Sequence, residues 1–570
     1  MAASSQPHHQ PTSHSDVDLA VARLRERSQA WAALALEDRL AYLRSAYRGT
    51  WAIARDLVAD ACRAKGLRGA QAGEEWVAGI IPQLRTMRIL LDTLEGIRRT
   101  GRVPLPENAV RVRPDGQVTI RVVPTDIYDR VLYRGFTADI WVDPAVTRAD
   151  LEQHLGSFYT KGVTPPAQVA LVLGAGNVAS IGPLDVIHKL FFEGATVLVK
   201  FSRVNEYLGP HFERAWADLI ADGFVRIVYG GGADVGVYAA HLPDVAQVHL
   251  TGSGRTYDSV VWGSGEEAST RKASGTPLLD KPVSCELGNV SPVVIVPGEW
   301  SDRALRLRAE DVATQIVQND GFNCNAARVL VMAEGWPQRE AFLGQVHRVL
   351  ASLPVRPAYY PDAETTYDRF LAAHDRVETF GRRTPGFLPP ALLVDLNPEE
   401  DHLAFREEAW CPMAATTSLP GATPAEFLGR AVSFCNQRLS GTLNATVIAD
   451  GGSVRTLGPA WDAALAGLRY GTVAVNVWGA AGFVLGPTPW GGFPGHTPTA
   501  IGSGLGFVHN ARLVDRPQKG VVHAPFGLFP KPPWFVTHRN AHRVLSRVAA
   551  LDADPHLWRL PGIGLWDLLS

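Results

Sequence analysis

The chain has 570 residues, 46% of them hydrophobic and 20% charged, enough to bury large cores in roughly two to four domains. A formal net charge of -2 gives no electrostatic footing for nucleic acid or an anionic membrane as partner. No run reaches the roughly 18 uninterrupted apolar residues that a membrane-spanning helix needs.

Residues 1–16 are rich in Ser, His, Gln and Pro and lack the apolar core of a secretory signal, so they are expected to form a disordered tail. From 17 to 115 the texture is helical, with Leu40, Leu43, Tyr47, Trp51, Ala54 and Leu57 at helical spacing. Residues 116–160 turn β-rich, as in Gln117-Val118-Thr119-Ile120-Arg121-Val122-Val123, and suit a segment that reaches a neighbouring subunit. Over 161–286 apolar strands alternate with helical stretches, the pattern of a parallel doubly wound sheet. A second α/β section covers 287–480, opening on Val293-Val294-Ile295-Val296. Residues 481–570 return to the first section and end in an extended arm, marked by Pro525, Pro530, Pro532 and Pro533 among aromatics.

Cys324 stands in Asn319-Asp320-Gly321-Phe322-Asn323-Cys324-Asn325, and Glu286 lies upstream in Cys285-Glu286-Leu287-Gly288-Asn289. A thiol with a carboxylate base is a combination suited to covalent catalysis. The other cysteines, Cys62, Cys285, Cys411 and Cys435, are scattered without metal-ligand spacing. All five are expected as reduced thiols in a cytoplasmic protein, with no metal site. Leu171-Val172-Leu173 runs into Gly174-Ala175-Gly176-Asn177-Val178-Ala179, which fits a G-x-G-x-x-G/A dinucleotide turn and equally a glycine turn that packs a helix onto a strand. The next strand ends basic, at Val199-Lys200-Phe201-Ser202-Arg203, where a ribose-binding acid would stand in the dinucleotide reading.

The order of these motifs resembles the aldehyde dehydrogenase superfamily over residues 170 to 495. The family carries an Asn in the first turn and a Lys closing the next strand, matched here by Asn177 and Lys200. His249-Leu250-Thr251-Gly252-Ser253 is similar to its pyrophosphate turn, and Cys285-Glu286-Leu287-Gly288-Asn289-Val290-Ser291-Pro292 to its Glu-Leu-Gly-Gly-Lys-Ser-Pro motif. Glu407-Glu408-Ala409-Trp410-Cys411-Pro412 resembles Glu-Glu-Ile-Phe-Gly-Pro. The resemblance implies an α/β fold with two doubly wound domains, one for cofactor and one catalytic, plus β-rich oligomerisation arms. It also implies a nicotinamide cofactor and a homodimer or homotetramer. Cys324 would then be the nucleophile, Glu286 the general base for water and Asn177 an oxyanion donor. Lys200, Ser202, Arg203, Gly252, Ser253, Glu408 and Trp410 would bind NAD or NADP.

Arg203 stands where NAD-preferring members have a Glu, which leans the cofactor towards NADP. Tyr257, Asn289 and Cys411 each replace a glycine of the family pattern. The expected reaction is oxidation of an aldehyde to its acid, with an apolar or aromatic substrate suggested by Phe322, Trp478, Phe483 and Trp490. Two rivals stay open: a CoA-acylating relative, against which Glu286 speaks, and a catalytically silent nucleotide-binding or structural oligomer.

Overall fold

A computed structural model describes residues 9–162, 165–230 and 234–568. The first eight residues of the expected tail lie outside the described residues, whereas the rest of it is bound to the body. Thr12 N–H donates to Tyr229 O at 2.9 Å, and helix α1 (His14–Ala32) starts at Ser13, whose hydroxyl accepts the Asp16 N–H. That cap satisfies a free helix-end donor and begins the helix inside the expected tail. Helix α2 (Leu36–Lys65) buries Leu40, Leu43, Ala54 and Leu57, leaves Tyr47 and Trp51 half-buried, and stops at Gly66 in the left-handed region. Helix α3 (Ile81–Thr100) follows.

Strands β1 (Val110–Val112) and β2 (Val118–Val123), helix α4 (Ile127–Leu132) and strand β3 (Thr137–Val142) come next. Strands β4 (Val169–Leu173), β5 (Thr196–Lys200), β6 (Val225–Val228), β7 (Val245–Thr251) and β8 (Val283–Glu286) then alternate with helices, among them α5 (Ile181–Phe191) and α6 (Gly254–Val261). The second section holds β9 (Ser291–Ile295), α7 (Asp302–Val317), β10 (Ala327–Ala333), β11 (Val377–Thr379), β12 (Ala391–Leu396), β13 (Met413–Leu419), β14 (Asn444–Ile448) and β15 (Thr472–Val475). The chain closes with β16 (Gly504–Leu505), β17 (Pro517–His523), α8 (Ala541–Ala553) and α9 (Leu560–Leu568).

Two main sheets result. The smaller has the order β16-β8-β7-β4-β5-β6, parallel except for β16. The larger has eleven strands in the order β1-β2-β3-β17-β15-β14-β9-β10-β13-β12-β11, with a parallel centre from β17 to β12. The architecture is thus mixed α/β with two parallel-cored sheets.

The β-rich segment of residues 116–160 contributes β2 and β3 to the chain's own larger sheet. Strand β3 pairs antiparallel with β17, and β17 continues parallel to β15. The side chains of β3 explain this: Ala138, Ile140 and Val142 enter one core while Trp141 enters the other. A strand apolar on both faces needs cover on both, which a sheet interior supplies.

The ending also differs from the expected extended arm. After the proline-rich turn, Val544, Leu545, Val548 and Leu551 form the buried stripe of α8 against the first core. Among the described residues no helix is long and apolar enough to cross a membrane.

Candidate active site

The strand ends of the smaller sheet carry most of the residues singled out from sequence. Strand β4 runs into Gly174 to Asn177, and β5 ends on Lys200 with Ser202 and Arg203 in the turn beyond. Strand β7 leads to Gly252 and Ser253, and β8 ends on Glu286. Ligands of open parallel sheets bind at such carboxyl ends. The larger sheet contributes loops that enter its strands, with Cys324 ahead of β10 and Glu408 and Trp410 ahead of β13.

Cys324 is half-buried, and its thiol and the Glu286 carboxyl perturb one another electrostatically. Glu286 is 4% exposed, and its Oε2 accepts the Trp490 Nε1 proton at 2.8 Å. Burial pushes Glu286 up from 4.5 to about 7, with Cys324 and Trp490 opposing the shift. Burial likewise raises Glu408 to about 8, against the pull of Arg328. The Cys324 thiol is pushed well above its usual range by burial and by Glu286 and Glu408.

These three acids lack a matching cation. The Arg328 guanidinium, which lowers Glu408, is committed to backbone oxygens, those of Cys411 at 2.7 Å and Gly321 at 2.6 Å. The Glu408 Oε1 is buried without a hydrogen-bond partner. An orphaned carboxyl oxygen in a cation-poor cluster fits a positively charged ring with ribose hydroxyls, so an oxidised nicotinamide suits the residues present.

The loop before Cys324 is wound the wrong way for ordinary residues. Asn319, Asp320 and Gly321 have φ of 54°, 55° and 73°, and a Cβ on Gly321 would lie 2.3 Å from Cys411 O. Left-handed backbone at side-chain-bearing positions persists only when its surroundings hold it. Here a polar web does so. The Asn319 Nδ2 donates to Asn177 O at 3.1 Å, to Phe322 O at 3.0 Å and to Asn323 Oδ1 at 3.1 Å. Lys65, at the end of α2, donates to Glu75 Oε1 at 2.7 Å, Asn177 O at 2.8 Å and Asn319 Oδ1 at 3.2 Å. The Tyr359 hydroxyl reaches Asn319 Oδ1 at 3.0 Å.

Sequence reading singled out neither Lys65 nor Tyr359. A Lys at a helix end and a Tyr-Tyr pair in a loop carry no local motif.

Asn177 is 2% exposed, and its Nδ2 donates one proton to Phe322 O at 3.0 Å. Asn177 and Cys324 line one cavity, reaching it from the two sheets.

The remaining candidates lie along the same edge. Lys200 is buried, with Nζ 3.4 Å from Phe201 O; burial lowers its pKa, while Glu206 opposes that shift. The Ser202 hydroxyl accepts the Val204 N–H at 3.4 Å, and Arg203 is half-buried without an ion pair among the described residues. Ser253 caps α6 by accepting the Thr256 N–H at 3.2 Å. Trp410, at φ 44°, meets Tyr360 edge-on at 5.4 Å, and Tyr360 stacks on Phe322 at 5.4 Å.

Of the four aromatic residues expected at the substrate, Trp478 and Phe483 line a cavity that opens on Cys324. The other two do not line it. Phe322 packs on Tyr359 and Tyr360, and Trp490 serves Glu286.

Residues 166–367 match the model of the aldehyde dehydrogenase family. The fold is similar to that of the NADP-dependent glyceraldehyde-3-phosphate dehydrogenase of Bacillus halodurans C-125 complexed with NADP, at 17% identity and TM-score 0.59, covering 90% of this chain and 91% of that one. It is also similar to a Mycobacterium tuberculosis aldehyde dehydrogenase complexed with NAD+, at 18% identity and TM-score 0.61, covering 91% and 92%. A third likeness is to aldehyde dehydrogenase C of Pseudomonas syringae, complexed with NAD+ and octanal, at 16% identity and TM-score 0.61, covering 91% and 90%. Identities this low speak for the fold and not for a substrate. The family match spans the β4 turn, Glu286 and Cys324, and the likeness of fold extends over both sheets: residues 166–367 carry the aldehyde dehydrogenase family pattern within a chain of aldehyde dehydrogenase-like fold.

Proposed function

We propose that this protein oxidises an apolar aldehyde to the carboxylic acid with NAD or NADP, using Cys324 as nucleophile and Glu286 as general base. The observation that carries the reading is the Cys324 thiol lining an apolar cavity and electrostatically coupled to a buried Glu286 whose pKa burial raises to about 7. A carboxylate with a pKa near neutrality suits a base that takes and returns a proton at working pH.

Cys324 Sγ, its proton released to solvent, adds as the thiolate to the aldehyde carbon. The oxyanion forms between the Cys324 N–H and the spare Asn177 amide proton, and losing one such donor typically costs roughly 2.7–4 kcal/mol of barrier. The nicotinamide, when bound, supplies the acceptor for the two electrons and the aldehyde hydrogen. Cys324 then holds the acyl group as a thioester. Glu286 removes a proton from the water that attacks it, releasing the acid and restoring the thiol.

Glu408 and Trp410 would hold the nicotinamide side, Gly252 and Ser253 the pyrophosphate, and Lys200, Ser202 and Arg203 the adenosine ribose. Arg203, half-buried and without an ion pair among the described residues, would meet a 2'-phosphate, so NADP is the preferred cofactor in this reading.

The experiment is a steady-state assay of NAD and NADP reduction with an aldehyde panel, with and without CoA, on wild type, Cys324→Ala and Arg203→Glu. Turnover without CoA that disappears in Cys324→Ala is expected, with preference moving from NADP towards NAD in Arg203→Glu. Turnover that requires CoA would remove Glu286 from its role. No turnover despite cofactor binding would leave a silent nucleotide-binding protein.

A further inference from the structure

The cavity above Cys324 holds about 150 Å³ and changes character along its length. Around the thiol it is polar, lined by Asn177, Gln318, Asn323 and Asn325. Beyond them the wall is aliphatic and aromatic, and its far side is built by the C-terminal helices: Val544, Leu545 and Val548 from α8 and Ile563 from α9. Among the described residues no Lys, Arg, Asp or Glu lines it. The Arg85 guanidinium lies behind Tyr133, 5.1 Å from the ring centroid, and is paired to Asp129 at 2.6 Å.

This wall is anchored rather than loose. Asp552, near the end of α8, pairs with Arg88 at 3.0 Å, and Pro555 O accepts the Tyr128 hydroxyl of α4 at 2.9 Å. A cavity of about this volume has room for a benzene-sized guest of about six carbons.

We infer that the α8–α9 pair is the tail subsite of the aldehyde pocket, selecting an uncharged apolar chain or ring of about six carbons and refusing phosphorylated or carboxylated aldehydes. The inference rests on the aldehyde reading for its substrate name. Its geometry, an apolar cavity closed by the C-terminal helices, stands apart from the chemistry.

Two measurements separate the two. Calorimetric titration with hexanamide, an unreactive stand-in carrying a carbonyl and a six-carbon chain, tests the cavity alone. A series from propanal to decanal, with succinic semialdehyde as the charged control, tests selection. Wild type is expected to bind hexanamide and to favour aldehydes of about six carbons over succinic semialdehyde by at least about tenfold in kcat/KM.

Val548→Trp, which fills the cavity, is expected to weaken hexanamide at least about tenfold and move the profile to shorter chains. Leu545→Ala, which widens it, is expected to move the profile to longer chains, and decides the matter if Val548→Trp fails to fold. NADPH titration serves as the fold control. Hexanamide binding absent in wild type or untouched by Val548→Trp, or a profile unmoved by Leu545→Ala, would overturn the inference. Hexanamide bound by wild type and lost in Val548→Trp, with no aldehyde oxidised, would keep the subsite and sink the dehydrogenase reading.

Discussion

At the residue scale, the chemistry turns on a buried acid held near neutrality. Glu286 sits at about 7 instead of 4.5, first because it is buried, with Cys324 and Trp490 opposing that shift. The folded state therefore keeps a proton that the unfolded chain releases between these values. Stability contributed by this group is present below about pH 4.5 and is lost as pH rises to about 7. Catalysis runs the other way, because the base must be ionised: the rate of acyl hydrolysis is expected to climb with pH through about 7. Replacing Glu286 with Gln is expected to leave one equivalent of reduced cofactor forming rapidly, followed by turnover slowed by roughly 10²–10⁴-fold. Stopped-flow absorbance across pH 5–9, a range chosen to bracket the roughly neutral pKa, measures both. A missing burst with intact cofactor binding would mean that Glu286 acts before acylation rather than after it.

At the element scale, two loops from different sheets must hold Asn177 and Cys324 in register, and Lys65 joins them. Its ammonium is 4% exposed, has a counter-ion in Glu75, and places its remaining protons on Asn177 O and Asn319 Oδ1. Lys65→Met strands Glu75 and frees both loops. Breaking a buried pair from one side costs about 3–5 kcal/mol, so a lower denaturation midpoint in urea is expected. The positioning role predicts more than that: kcat falls about tenfold or more while cofactor affinity stays near wild type, and Lys65→Arg recovers part of kcat. Equal loss of cofactor binding and kcat would reduce Lys65 to a structural residue.

What was legible before the structure divides along the same line. The β4 turn, Glu286 and Cys324 announce themselves because a glycine turn or an acid at a strand end is a local pattern. Lys65 and Tyr359 meet the site only through tertiary contacts over long sequence separations, and nothing near them in the chain marks it, whereas Trp490 was marked for the substrate and holds Glu286 instead. The C-terminal helix was readable in principle from Val544, Leu545, Val548 and Leu551 at helical spacing. The prolines just before it drew attention to an extended arm instead.

At the scale of the whole molecule, the chain's two ends are locked together behind the site. Strand β17 lies between β3 and β15, and α8 packs on α3 through a shared core. Within that core sits a charge cluster: Arg85 with Asp129 at 2.6 Å, Arg88 with Asp126 at 2.6 Å and Arg88 with Asp552 at 3.0 Å. Burial raises Asp552, and its two arginines pull it back, so its ionised form depends on them. Asp552→Ala leaves two guanidinium groups sharing fewer anions in a place water does not reach. A loss of about 3–5 kcal/mol in urea unfolding is expected, against a near-neutral result for an exposed control such as Leu557→Ser. Because α8 also walls the aldehyde cavity, the same variant should loosen hexanamide binding in proportion to that instability. A stable variant with wild-type hexanamide affinity would mean that apolar packing alone holds the C-terminal helices in place, and that the charges are bystanders to the pocket they surround.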